Sequence, residues 1–274
     1  MIISITTDFG THDGYVGTMK GVIAGIAPGV PCIDITQEIP PLDVRSAAYV
    51  LWTALPYFPP ESVHLVVVDP GVGTARRPIA ARTAWGTLVG PDNGVFSYVW
   101  EAAPPELIVE LANPAYRSPA VSNTFHGRDV FSPAAAHLAR GVPLAELGPE
   151  VHDPVRLPAP ALTVTDSFII GEVIYIDHFG NTITSIGRLV WDGGLLSLDP
   201  AFGAAPSGII NAARVRVLVA GRDLGPIRRT YGEVGLGEAL ALVGSEGMLE
   251  LAVNRGHGAA VMGLKVSDRL SVSL

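Results

Sequence analysis

Twelve consecutive residues constrain this chain more than any others: Val66-Val67-Val68-Asp69-Pro70-Gly71-Val72-Gly73-Thr74-Ala75-Arg76-Arg77. Three β-branched apolar residues running into an aspartate describe a buried strand that delivers a carboxylate to its own C-terminal end. Pro70 cannot donate the next ladder hydrogen bond, and Gly71 and Gly73 permit the backbone angles of a tight turn. Two arginines follow at once. In open α/β sheets, ligands bind outside the carboxyl ends of the strands, so this segment is a candidate site. A strand, a turn and a surface ion pair is the other reading of the same residues.

Taken in order, the chain alternates. Residues 1–7 are a short β-type segment ending at Asp8-Phe9-Gly10, a second carboxylate at a strand terminus. Residues 14–27 place apolar side chains at helical spacing and stop at Pro28-Gly29. Residues 31–36 read as a strand, and residues 43–58 as a helix with Asp43 as its N-cap. Residues 63–69 are the third strand and residues 79–89 continue in strands. Gly90-Pro91-Asp92-Asn93-Gly94 is a turn, and residues 129–141 read as a helix stopped by Gly141. Strands alternating with helices predict a mainly parallel sheet. The composition then shifts: Pro143, Pro149, Pro154, Pro158 and Pro160 mark a linker. Beyond it, segments such as 168–176, 213–220, 239–243 and 249–253 are short, β-rich and separated by glycine turns, the pattern of a small barrel or sandwich. The expectation is an α/β domain over residues 1–155 and a smaller all-β, barrel-like domain over residues 156–274.

Composition narrows the function classes. Of 274 residues, 48% are hydrophobic and 16% charged, which supports a large core and argues against disorder. The net charge of −8 with 18 Lys and Arg disfavours nucleic acid or an anionic membrane surface as partner. One cysteine, Cys32, makes neither an internal disulfide nor a multi-thiolate metal site, as in a reducing cytoplasm. No basic region precedes an apolar run at the start, and no window reaches a membrane span, so a cytoplasmic protein is expected. Gly71-Val72-Gly73 opens like a dinucleotide fingerprint, but Arg76 stands where the third glycine belongs. Phosphate-loop and zinc motifs are absent, and no metal site is expected.

Thr124-Phe125-His126-Gly127-Arg128-Asp129 opens the helix read over residues 129–141. A histidine just before a helix feels the positive end of the dipole, which favours the neutral imidazole. A capping or core role is the competing reading. Asp177-His178-Phe179-Gly180-Asn181 is a turn in the β-rich half, built from residues that favour turns in any protein.

Seven segments occur in a recognisable order: TTDFG at 6–10, YVGTMKG at 15–21, VVDPGVGTARR at 67–77, GPDNGVF at 90–96, TFHGRDVF at 124–131, DHFGN at 177–181 and GSEGMLELAVNRG at 244–256. Together they resemble the S-adenosyl-L-methionine (SAM) hydroxide adenosyltransferases, the SAM-hydrolysing relatives of the fluorinating and chlorinating enzymes. The resemblance implies an N-terminal α/β domain, a C-terminal β-barrel, and a homotrimer with active sites at subunit interfaces. It implies SAM as substrate and no separate cofactor. It also implies a catalytic trio of Asp69, Arg76 and His126, with Asp8 on the ribose hydroxyls. Asp177 would take the methionine amino group, Ser245 its carboxylate, and Phe179 and Asn181 the adenine, with the backbone near Val253 close to the base. Halogenating relatives carry an Arg after that serine; here Glu246 follows it.

The implied chemistry is an attack on C5′, where neutral methionine leaves from a sulfonium and no acid is needed. What must be supplied is a water-derived nucleophile, in line and stripped of bulk solvent. Arg76 would favour hydroxide character, His126 would accept or share the proton, and Asp69 would orient the pair. Two alternatives remain: a SAM-dependent halogenase, and a non-catalytic SAM or adenosine sensor. Asp69 beside a halide would repel it, and a sensor has no use for the trio.

Overall fold

In the computed structural model, which describes residues 1–274, the chain falls into two units, Met1–Leu157 and Pro158–Leu274. The first contains β1 (Ile3–Thr7), α1 (Tyr15–Ile26), β2 (Cys32–Thr36), α2 (Val44–Ala54) and β3 (Val63–Val67). Then come β4 (Pro78–Thr83), β5 (Gly86–Pro91), α3 (Ser97–Ala102), β6 (Leu107–Glu110) and α4 (Ser132–Ala139). The sheet order is β2-β1-β3-β5-β4-β6. β2, β1, β3 and β5 pair in parallel, while β4 runs antiparallel to β5 and β6. The exception has a simple cause: only Ala84 and Trp85 separate β4 from β5, which suffices for a hairpin but not for a crossover.

The two-residue period of the third strand divides the core. Val63, Leu65 and Val67 pack with Met19, Ile23, Phe131 and Ala135 from α1 and α4. Val66 and Val68 pack with Ala47, Leu51, Phe96 and Val99 from α2 and α3. Helices on both faces explain why this strand reads as an unbroken apolar run. Asp43 caps α2 through Ser46 N–H at 2.9 Å. The expected strand over residues 63–69 stops at Val67, since Pro70 ends the ladder. α3 and β6, at six and four residues, are too short to show a period in sequence.

The proline-rich stretch is a strap rather than a free linker. Glu150 bridges to Val109, and Val151 is buried beside Ile108. Val155 N–H donates to Asp92 Oδ1 at 2.8 Å, and Leu157 N–H to Ser97 Oγ at 2.7 Å. Prolines remove donors from this segment, and its remaining amides find side-chain acceptors instead of a strand.

The second unit holds β7 (Leu162–Val164), β8 (Phe168–Ile176), β9 (Thr182–Thr184), β10 (Leu189–Asp192), β11 (Leu195–Leu198), β12 (Gly208–Asn211), β13 (Arg216–Val219) and β14 (Arg222–Asp223). It continues with β15 (Ile227–Arg228), β16 (Ala239–Val243), β17 (Leu249–Val253), α5 (Gly258–Met262) and β18 (Arg269–Ser273). Nine strands form one sheet, β14-β13-β18-β8-β9-β17-β16-β15 with β7 on β8, and β10-β11-β12 form another. The large sheet curls into a half-barrel. Its turning point is β8, which pairs β18 from Phe168 to Glu172 and β9 from Val173 onward, with a bulge between Val173 and Tyr175. Ile169, Val217, Leu251, Leu270 and Val272 fill its concave core. No helix in either unit is long and apolar enough to cross a membrane.

Candidate active site

The first unit carries a cavity of about 260 Å³ at the carboxyl ends of β1 and β3, lined by Asp8, Phe9, Leu42, Val67, Asp69, Val72 and Thr124–Gly127. Its charged wall follows from the turn after β3. Val72 N–H donates to Asp69 O and Thr74 N–H to Gly71 O, both at 3.2 Å, folding the chain back so that Arg76 returns to Asp69. Gly73 has φ +75°, and a Cβ there would run into the Asn123 carbonyl. Asn93 Nδ2–H donates to Val68 O at 2.9 Å, so the Gly90–Gly94 turn closes off the strand end that presents Asp69.

Arg76 Nε–H donates to both carboxylate oxygens of Asp69 at 2.9 and 3.0 Å, and Nη2 also reaches Oδ2. Both side chains are deeply buried, 9% and 5% exposed. The guanidinium also lies 5.1 Å over the Phe131 ring, while Nη1 is buried without a partner. The neighbouring Arg77 turns away, pairing with Asp92 and with Asp153 of the strap. Of two adjacent arginines, one serves the cavity and one ties the fold.

His126 completes the trio: Arg76 Nη2 lies 2.9 Å from its Nδ1. A guanidinium only donates, so Nδ1 accepts, and the neutral ring carries its proton on Nε2. Burial, then the Arg76 charge, hold this histidine below its ordinary pKa, with Asp69 opposing. The ring therefore offers the cavity an N–H donor. It makes no capping hydrogen bond. The helix expected over residues 129–141 is split: Gly127–Phe131 is a π-turn leading into α4. Gly127 is closely packed there: a Cβ would stand 3.1 Å from Met19 Sδ, and the neighbours would have to give way by a few tenths of an ångström. Asp129 is buried and accepts from Arg128 and from Ser122 N–H, fixing the loop that leads to His126. Arg128 foremost holds its carboxyl below the usual range.

Asp8 follows β1 and accepts from Leu42 N–H through Oδ2 at 2.8 Å. Leu42 itself is held at φ +66°. Phe9, Tyr15 and Phe125 form an aromatic cluster, with ring centroids 5.3–5.9 Å apart, behind the apolar wall.

A second cavity, of about 550 Å³, lies in the second unit and is lined by Phe179, Asn181, Tyr231, Val253, Arg255, Gly256 and His257. The Asp177–Asn181 turn builds one side. Asp177 Oδ1 accepts from the Phe179 and Asn181 amides at 2.9 and 2.8 Å, and Oδ2 accepts from Asn181 Nδ2 at 2.9 Å. Gly180 has φ +83°, and any Cβ would collide with the His257 ring. Phe179 is thereby left 72% exposed.

The chain matches the model of the SAM hydroxide adenosyltransferase N-terminal domain over residues 3–148 and that of the C-terminal domain over residues 171–271. It belongs to this family. A Thermus thermophilus protein named (R)-S-adenosyl-L-methionine hydrolase is 47% identical, with 94% of each chain covered. A fluorinase of an Actinoplanes species is 29% identical over 99% of this chain and 97% of its own. The crystal structure of an uncharacterised conserved protein from Thermotoga maritima, 36% identical, superposes with a TM-score of 0.85 and covers 99% of both chains.

Within this SAM hydroxide adenosyltransferase chain, the nine expected site residues sort into three groups. Asp8, Asp69 and His126 line the first cavity, with Arg76 bonded to the last two. Phe179, Asn181 and Val253 line the second, with Asp177 beneath them holding the turn. Ser245 lines neither; it is exposed in the β16–β17 turn, 3.3 Å from Glu246 Oε1. Leu42, Tyr231, Arg255 and His257 escape sequence reasoning, because they reach the cavities from separate loops. No group of three His, Cys, Asp or Glu side chains is placed to hold a metal ion.

Proposed function

We propose that this chain hydrolyses SAM to adenosine and L-methionine by in-line attack of a water-derived nucleophile at C5′. The observation that carries the reading is the buried Asp69–Arg76–His126 trio, at the wall of a cavity that also presents Asp8. The C5′–S bond breaks with its electron pair leaving on sulfur, and water oxygen forms the new C5′–O bond. One water proton stays on the 5′-hydroxyl and the other passes to solvent. A neutral thioether needs no acid to depart. The site therefore contributes position and field: His126 Nε2–H and the Arg76 charge stabilise hydroxide character on the nucleophile, and Asp69 holds Arg76 in place. Asp8, with one oxygen tied to Leu42, keeps the other for the ribose hydroxyls.

Asp177 and Ser245 hold the methionine end in this reading, and Phe179, Asn181 and the backbone at Val253 hold the adenine. A cavity of about 260 Å³ is below the usual size of roughly 300–1,000 Å³ for a ligand of this kind. A site completed by a second copy would make up the difference, in keeping with the homotrimer that the resemblance implies. A cytoplasmic setting fits the single free thiol, Cys32. The reaction is tested in oxygen-18 water with SAM: adenosine labelled at the 5′-hydroxyl is expected. A halogenated deoxyadenosine in the presence of halide, or unchanged SAM, would sink the proposal.

A further inference from the structure

One side chain in the second cavity has its hydrogen-bonding options almost fully spent. Asn181 gives one amide hydrogen to Asp177 Oδ2 at 2.9 Å. A carboxylate only accepts, so the amide nitrogen must face it. The same nitrogen lies 3.5 Å from the Tyr231 hydroxyl oxygen. That hydroxyl cannot donate back, because its own hydrogen goes to Glu250 Oε1 at 2.5 Å. Rotating the amide would set its oxygen against the Asp177 carboxylate. What Asn181 has left for the cavity is its carbonyl oxygen, which makes no hydrogen bond within the chain.

We propose that Tyr231 and Glu250 are positioning residues that, with Asp177, lock Asn181 with its carbonyl toward the cavity, so that this subsite selects a ligand offering a hydrogen-bond donor, as a 6-amino purine does and a 6-oxo purine does not. Burial and the Glu250 contact push the phenol of Tyr231 up, which keeps it a proton donor. Glu250 sits on β17 beside β9, only 8% exposed and outside the cavity lining, and it reaches the cavity through Tyr231. A buried carboxyl in this position is costly unless partnered, and its partner is the tyrosine that faces Asn181.

The inference rests on SAM being the substrate, and its test separates the two. Hydrolysis of SAM and of its deaminated 6-oxo analogue is measured for the wild type, Tyr231→Phe, Glu250→Leu and Glu250→Gln. The wild type should favour SAM in kcat/KM by about 100-fold or more, as sites built around one hydrogen bond do. Tyr231→Phe frees the second amide hydrogen to serve an oxo group. The preference should fall by roughly fivefold or more, through a lower KM for the 6-oxo analogue and with kcat for SAM within about twofold. Glu250→Leu should behave the same way, since the tyrosine then loses its acceptor. Glu250→Gln keeps an acceptor and should restore the wild-type preference. A structural role alone would lower both substrates together. An unchanged preference in both folded variants would overturn the lock, as would a wild type indifferent to the two bases. Should the wild type leave SAM intact, the reaction fails and the lock is read instead from calorimetric binding of adenosine against inosine by the same proteins, with the same ratios deciding it.

Discussion

The two cavities are built to opposite plans. In the first, every charged group is held by another charged or polar group, and Asp69 and Arg76 are almost sealed from solvent. In the second, a turn hydrogen-bonds to its own aspartate and holds an aromatic ring out in the open. Burying an ion pair costs roughly as much desolvation as its attraction returns, so stability does not explain Asp69–Arg76. Arg77, one residue on, is the structural ion pair: its partners are a buried turn and the strap. Where charge moves during a reaction, the field must be fixed beforehand. Where a base or an amino acid need only be recognised, hydrogen bonds within a turn are enough.

The sharpest way to break this comparison is to remove a group from the first cavity. Arg76→Ala and His126→Ala should each lower kcat about 10²–10⁴-fold while calorimetric SAM affinity stays near wild type. Under the proposed reaction the trio is a unit, so the double variant should be little worse than the worse single one. Arg76→Ala strands a buried Asp69, so its folding must be confirmed by denaturation. A His126 variant that turns over normally would return that residue to a packing role.

A buried histidine outside both cavities sharpens the contrast. His64 accepts from Ser4 at Nδ1, 2.7 Å, and donates to Trp85 O from Nε2, 2.9 Å. Burial lowers its pKa to about 4, whereas the unfolded chain titrates near 6.5. The unfolded state therefore binds more protons between these values. The stabilising difference is complete above pH 6.5 and is lost as pH falls through about 4, to the extent of about 3 kcal/mol. Urea unfolding at pH 7.0 and 4.5 should show most of this loss in the wild type and much less in His64→Gln. Equal acid sensitivity would exclude His64 as its source.

Next come the groups that the proposed function has binding without reacting. Asp8→Ala and Phe179→Ala, one from each cavity, should each raise the SAM dissociation constant about tenfold or more with kcat changed far less. A fall in kcat as large as that of the trio variants would erase the distinction between the two cavities.

How much of this was legible beforehand depends on whether the signal is local. Val66–Val68 running into Asp69 marks a doubly buried strand, and Asp43 marks a helix start, because strand period and capping are short-range effects. The antiparallel β4 is concealed because its signal is the two-residue loop at Ala84-Trp85, not the strands themselves. The π-turn at Gly127–Phe131 keeps an apolar pattern that an ordinary helix would also show. Which arginine faces the cavity follows from the turn closing over Gly73 and from Asp153, 76 residues away in sequence. Tyr231 and Glu250 become partners only once β15 and β17 flank β16 in the sheet, and no spacing rule joins them.

The smallest effect tests the protonation state on which the first cavity depends. Protonating His126 would place a hydrogen on Nδ1, where it would face the Arg76 donor, so the cationic ring breaks the trio. Burial and Arg76 lower the pKa of this histidine, and Asp69 only partly opposes them. Its midpoint thus lies below the ordinary 6.5, and fewer than half the sites are protonated at that pH. Activity at saturating SAM should change less than about twofold between pH 7.5 and 6.5, and fall steeply only at lower pH. Circular dichroism at each pH separates this limb from the acid loss assigned to His64. An intact fold whose kcat has already dropped severalfold by pH 6.5 would show a raised pKa. In that case Asp69 governs the ring, Nδ1 carries a proton, and the donor arrangement at Nε2 has to be abandoned.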